Sequence, residues 1–88
     1  MVSKEVVVLN STGMHARPAS IFVKTAAKFK SEIKVEKEGK EALAKSIMGV
    51  LSLGISKGTK ILIKVNGEDE QEALNALVEL VESKFGEE

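Results

Sequence analysis

The chain has no cysteine, no tryptophan and no tyrosine, and only one proline and one histidine among 88 residues. Without cysteine there can be no disulfide, thiolate zinc site or iron–sulfur cluster, a composition that suits a reducing compartment. A lone histidine cannot supply the three or four ligands of a zinc centre, so neither a metal nor another cofactor is expected. The three phenylalanines are the only aromatic residues. They are too few for the stacking platforms that hold single-stranded nucleic acid. Charge of one sign is also missing: 13 basic residues balance 13 acidic ones, whereas binders of nucleic acid or anionic membranes carry a basic excess. No apolar run approaches the roughly 20 residues that span a bilayer. Met1–Val8 mixes both charge signs and is too short for the apolar core of a signal peptide, so none is expected. What remains is one small domain, 1–88, without linker, low-complexity tract or repeat. A domain this size buries only about 60% of its unfolded surface, so its core must be efficient.

What is present is a regular alternation of patterns. Glu5–Leu9 is short and β-branched and predicts a strand. Asn10–Gly13 is a turn cluster. From Ala16 the period changes, and Ala19, Phe22, Val23, Ala26 and Phe29 make the stripe of an amphipathic helix. Pro18 falls in its first turn, where a missing N–H costs nothing. Glu32–Glu38 alternates as a strand, and Gly39 punctuates a hairpin into a short strand at Glu41–Ala44. Ser46 before and Gly54 after an apolar cluster predict a short capped helix. Lys60–Val65 alternates again and Asn66-Gly67 turns the chain. Asp69 and Glu72 suggest an N-cap with a capping-box partner, and Leu74, Leu77, Val78, Val81 and Phe85 form the last helical stripe. The order is β-α-β-β-α-β-α, an α+β class with one antiparallel sheet covered by helices on one face. The pattern alone leaves the strand order open.

His15 stands where the first helix begins. The first N–H groups of a helix lack internal partners, and with the macrodipole they favour an anion. A neutral imidazole is a nucleophile, and once phosphorylated it becomes an anion placed where anions are stabilised. Arg17 could hold such a phosphoryl group with its fork of donors. The plain alternative is a surface histidine that merely caps the helix. Ser11 and Ser20 are near in sequence, but neither sits in a nucleophile elbow with a paired acid, so a hydrolytic triad is disfavoured. Arg17, Ser20, Ile21 and Lys24 share one helical face, an apolar residue between cations that suits an acidic partner. Scattered exposed isoleucines are nevertheless common. In Lys45–Gly54 the apolar density exceeds what one buried face can take, so some of Ile47, Met48 and Leu51 should stay exposed as an adaptable contact surface. Ser46 is most simply an N-cap, and the sharper reading is a phosphorylation site. The strand–helix order by itself also suits an unrelated α+β ligand-binding domain.

Gly13-Met14-His15-Ala16-Arg17-Pro18-Ala19 resembles the active-site signature of HPr proteins, the histidine-containing phosphocarriers of the bacterial phosphoenolpyruvate:sugar phosphotransferase system. Lys45-Ser46-Ile47-Met48-Gly49-Val50 is similar to the regulatory-serine motif of the Gram-positive type, and Gly67–Leu74 to the family's entry into its last helix. The resemblance spans essentially the whole chain. It implies an open-faced β-sandwich: a four-stranded antiparallel sheet, order 1-4-2-3, covered on one face by three helices. It implies that His15 accepts a phosphoryl group on Nδ1 from enzyme I and passes it to IIA domains of sugar permeases, with Arg17 assisting. The protein would be a carrier and a substrate of its partners rather than an enzyme. Ser46 would be the target of the HPr kinase/phosphorylase, its phosphorylated form binding the catabolite control protein. Ala16, Ser20, Ile21, Lys24, Ile47, Met48 and Leu51 would be partner contacts on a cytoplasmic monomer that neither binds nucleic acid directly nor inserts in a membrane. A regulatory paralogue of the family acts through the serine alone and lacks the active histidine. Here His15 is present.

Overall fold

The structure is a computed structural model and describes residues 1–86; residues 87 and 88, the end of the expected 1–88 domain, lie outside the described residues. Segments in which Val and Ile alternate with charged residues pair as strands, because one face of each can be buried and the other left in water. They are β1 (Val2–Val7), β2 (Glu32–Lys37), β3 (Lys40–Leu43) and β4 (Lys60–Asn66). Three helices intervene: α1 (Ala16–Ala27), α2 (Ile47–Ser52) and α3 (Glu70–Glu82). All strand pairs are antiparallel and the order is β1-β4-β2-β3. This is the expected open-faced sandwich. Val65 and Ile63 of β4 lie in register with Ile33 and Val35 of β2, and Ile61 with Val6 of β1. These side chains share one core with Phe22 and Ala26 of α1 and Leu77 and Val81 of α3. The uncovered face carries charge, including Lys64 paired with Glu36 (2.9 Å) and Glu41.

Three details differ from the sequence reading. The first strand runs Val2–Val7 instead of Glu5–Leu9, because Val2–Lys4 find partners in Val65–Ile63 that local sequence cannot show. Val8 leaves the ladder but stays buried, donating its N–H to Thr59 O (2.9 Å). The last helical stripe stops early. α3 ends at Glu82, and Phe85 sits in a following 3-10 turn (Lys84–Gly86) at φ 56, yet its ring is still buried. Burial of a large aromatic ring offsets a backbone conformation that bulky residues rarely adopt.

The third difference is at the start of α3. The Asp69 side chain makes no capping bond there. Its carboxylate instead crosses to the loop after α1, accepting from Lys30 N (2.9 Å), Ser31 N (3.0 Å) and the buried Ser31 hydroxyl (2.5 Å). A Cβ at Gly67 would lie 2.6 Å from Ser31 Oγ, so the two loops touch with no spare space. Glu70, not Glu72, reaches back to accept from Gly67 N (3.2 Å), and it also pairs with the terminal ammonium of Met1 (3.1 Å). The Ser31 hydroxyl first, and then the backbone N–H groups, hold the Asp69 carboxyl below its usual range. A carboxyl lowered in the folded state contributes stability above its unfolded pKa of about 3.9 and loses it as pH falls through the folded value. Asp69→Asn is therefore expected to lower Tm at neutral pH, with the difference from the parent shrinking as pH drops below 4. Thermal unfolding at a series of pH values measures this, and a pH-independent difference would contradict the assignment.

β1 is an edge strand, and Lys4 occupies a core-facing register position opposite Ile63, between Val2 and Val6. It stays exposed beside an open groove of about 880 Å³ between β1 and α3, lined among others by Leu74, Val78, Glu79 and Glu82. An inward-pointing charge on an edge discourages the addition of another strand.

Candidate functional site: the His15 loop and helix α2

The segment between β1 and α1 is pinned residue by residue. Asn10 is fully buried, and its Nδ2 donates to Gly13 O (2.8 Å) and to Thr12 Oγ1 (3.3 Å). Gly13 N returns a bond to Asn10 O (3.1 Å), closing the turn. Gly13 has φ +63, and a Cβ there would sit 2.6 Å from Ile55 O and 2.7 Å from Ser56 Cα. Only glycine fits this approach. Met14 is buried and donates its N–H to Ile55 O at 2.9 Å.

His15 follows as the exposed N-cap residue of α1, with φ −78 and ψ −166. Its carbonyl accepts from Ala19 N (2.8 Å), but its imidazole makes no capping hydrogen bond. The imidazole is thus not used to cap the helix. The N–H groups of Ala16 and Arg17 precede the first intrahelical bond, and Pro18 has none to waste. No acidic residue stands in the first turn of α1. The arrangement presents a nucleophilic nitrogen beside main-chain donors, with an exposed guanidinium two residues on. That suits a group whose charge lies on its oxygens. Of the face expected next to it, Arg17 and Lys24 are exposed and Ser20 and Ile21 are half-buried; Ala16 is exposed.

Helix α2 adjoins this site. A cleft of about 150 Å³ is lined by Met14, His15, Leu51, Gly54, Ile55 and Ser56, so the two motifs meet at Leu51. Val50 is the α2 side chain sunk in the core, while Ile47, Met48 and Leu51 stay exposed, Met48 by 76%. Ser46 is the N-cap, its Oγ accepting from Gly49 N at 3.1 Å. Lys45 Nζ donates to Phe29 O (2.6 Å), joining the entry of α2 to the end of α1.

Sequence reasoning treated Asn10 and Gly13 as ordinary turn residues and passed over Ile55 and Ser56. Asn10 carried a signal: a buried amide directly after a β-branched run and three residues before a glycine is a side chain that closes a turn. Ile55 and Ser56 carried none, because they act through backbone atoms.

Comparison with known proteins agrees with this geometry. The family model described as the PTS HPr component phosphorylation site matches residues 2–83. The HPr-like protein Crh of Halalkalibacterium halodurans is 50% identical over 84 residues, covering 96% of this chain and all of that protein. The phosphocarrier protein HPr of Xylella fastidiosa (strain 9a5c) is 45% identical over 87 residues, covering 99% and 98%. The crystal structure of HPr-C-His from Thermoanaerobacter tengcongensis superposes with a TM-score of 0.98 at 55% identity, covering 100% of this chain and 99% of that one. A second structure from that organism, described as an HPr dimer, has a TM-score of 0.80 at 54% identity, covering 99% and 100%. The motif around His15, the strand order and these matches agree: the chain belongs to the HPr family of the phosphotransferase system, in its Gram-positive form.

Proposed function

We propose that this protein is a phosphocarrier of the sugar phosphotransferase system. The Nδ1 atom of His15 attacks the phosphorus carried by enzyme I; an N–P bond forms as the donor's bond to phosphorus breaks. A IIA domain of a sugar permease then takes the group by the same displacement, leaving His15 free. Such transfer needs little covalent help and much positioning and charge stabilisation. The helix N–H groups and Arg17 provide the second of these. The protein is a carrier, consumed and regenerated by its partners, and does not turn over sugar alone. The observation that carries this reading is the exposed imidazole of His15, which makes no capping hydrogen bond, at the start of α1 in a chain that matches the HPr family model over residues 2–83.

Ser46 is the proposed regulatory site, phosphorylated by the HPr kinase/phosphorylase for binding to the catabolite control protein. A phosphate there would place a dianion beside the apolar patch of Ile47, Met48 and Leu51. Ala16, Ser20, Ile21 and Lys24 form the other half of the partner surface. A weak, fast interface with a small apolar centre and charged rim suits one face that serves several partners in turn. We read the protein as a cytoplasmic monomer, as the resemblance to the phosphocarriers implies, and Lys4 guards the β1 edge. The similarity to Crh favours a second reading, a regulatory protein acting through Ser46 alone. The presence of His15 weighs against it.

The test is incubation of the monomeric fraction with enzyme I and phosphoenolpyruvate. The expected product carries an acid-labile, alkali-stable phosphate that is absent from His15→Ala. An unlabelled parent, or label surviving in His15→Ala, overturns the carrier reading. If Ser46→Asp alters partner binding while His15→Ala leaves sugar uptake intact, the regulatory reading takes its place.

A further inference from the structure

Helix α2 has only six residues and no basic residue in its last turn. So short a helix is not self-sustaining. Its own last carbonyls are met locally, Gly49 O by the Ser52 hydroxyl, Val50 O by Leu53 N and Leu51 O by Gly54 N. The carbonyls just past its end, of Leu53 and Gly54, need a partner from elsewhere and find one in β2. Lys37 occupies a core-facing register position, in phase with Ile33 and Val35, and is half-buried. Its ammonium emerges beneath the end of α2 and donates to Leu53 O (3.0 Å) and Gly54 O (2.9 Å). A cation at a helix C-terminus opposes the negative end of the dipole.

The consequence lies one residue further on. Ile55 is buried, its carbonyl accepts Met14 N, and Gly13 is pressed against Ile55 O and Ser56 Cα with no spare space. Residues 53–56 are thus held by Lys37 and in turn support the turn that presents His15. Lys37 does not line the cleft beside His15, so it is not placed to touch a phosphoryl group.

We propose that Lys37 is a positioning residue for His15: by holding the carbonyls of Leu53 and Gly54 it fixes the backbone on which Gly13, Met14 and His15 rest. This rests on the reading of His15 as phosphoryl acceptor. Lys37→Met keeps the apolar stem and removes the ammonium. Lys37→Arg keeps donors that reach the same two carbonyls. Ile47 and Met48 are secured separately by the Ser46 cap and the buried Val50, so the docking patch should survive either change.

The experiment pairs amide hydrogen exchange with the kinetics of phosphorylation by enzyme I, well below the unfolding temperature of each variant. In Lys37→Met the N–H groups of Met14 and Gly54 are expected to exchange about 10-fold faster, while that of Ile63 in β4 is unchanged. The kcat for phosphorylation is expected to fall about 5- to 10-fold with KM within about twofold. Lys37→Arg is expected to restore both. Exchange that rises equally everywhere, an unchanged kcat, or no rescue by arginine overturns the proposal. If the parent itself is not phosphorylated, the carrier reading fails, and exchange at Met14 still decides whether Lys37 positions this loop.

Discussion

Replacing Gly13 by alanine is expected to lower stability by about 2–4 kcal/mol, from two separable causes. The backbone at φ +63 costs an L-residue about 1 kcal/mol. The new Cβ, 2.6 Å from Ile55 O and 2.7 Å from Ser56 Cα, meets the backbone of residues 55–56, so no side-chain rotation can relieve the clash. The loop must move, and the Met14 N–Ile55 O bond stretches with it. Gly39→Ala is the internal control: Gly39 also has positive φ (+83), but a Cβ there meets nothing within 4 Å. It should cost only the conformational part, about 1 kcal/mol. At about 4–8 °C per kcal/mol for a domain of this size, Gly13→Ala should lose about 8–32 °C in Tm and Gly39→Ala about 4–8 °C. Equal losses would show that the contact with the 55–56 backbone does not matter. Phosphorylation of His15 measured well below Tm should also suffer in Gly13→Ala alone, since only that turn presents the imidazole.

Arg17 is the site of the second large effect, on rate rather than stability. It is exposed and its replacement leaves the core untouched, so Arg17→Gln should shift Tm by no more than about 0.5 kcal/mol equivalent. The proposed transfer places charge on the three oxygens of the moving phosphoryl group, and removing one donor aimed at such charge typically costs about 10²–10³ in rate. Arg17→Lys retains the charge and loses the planar fork, so its rate should fall between the two. Rapid-quench measurement of label transfer from phosphorylated enzyme I separates the rate from binding. A rate in Arg17→Gln within twofold of the parent would remove Arg17 from the phosphoryl site and leave the helix N–H groups as the stabilising donors.

Much of this molecule is legible before folding. Period-two alternation in Glu32–Glu38 and Lys60–Val65 marks strands, because only one face of each is buried. The stripe from Ala19 to Ala26 marks α1 for the same reason at a period of 3.6. Turn residues, then His15, then Pro18 mark a helix start with an imidazole at its mouth. These are local signals, written in the order of side chains along the chain.

Other features depend on partners distant in sequence. β1 begins three residues earlier and ends two residues earlier than its local pattern because it pairs with β4, some sixty residues away. Asp69 reads as a cap, yet it reaches Ser31 because folding brings a buried hydroxyl and two N–H groups within its range, and these satisfy a carboxylate better than a single helix N–H. Lys37 looks like one more charged strand residue until α2 ends above it. The chain by itself determined the elements, the exposed histidine at a helix start and the family motifs, since those rest on periodicity and local backbone chemistry. Tertiary structure alone decided which backbone supports His15, which carbonyls Lys37 holds and why position 13 must be glycine. Each of those depends on a distance between segments far apart in sequence, and side-chain order does not encode such distances locally.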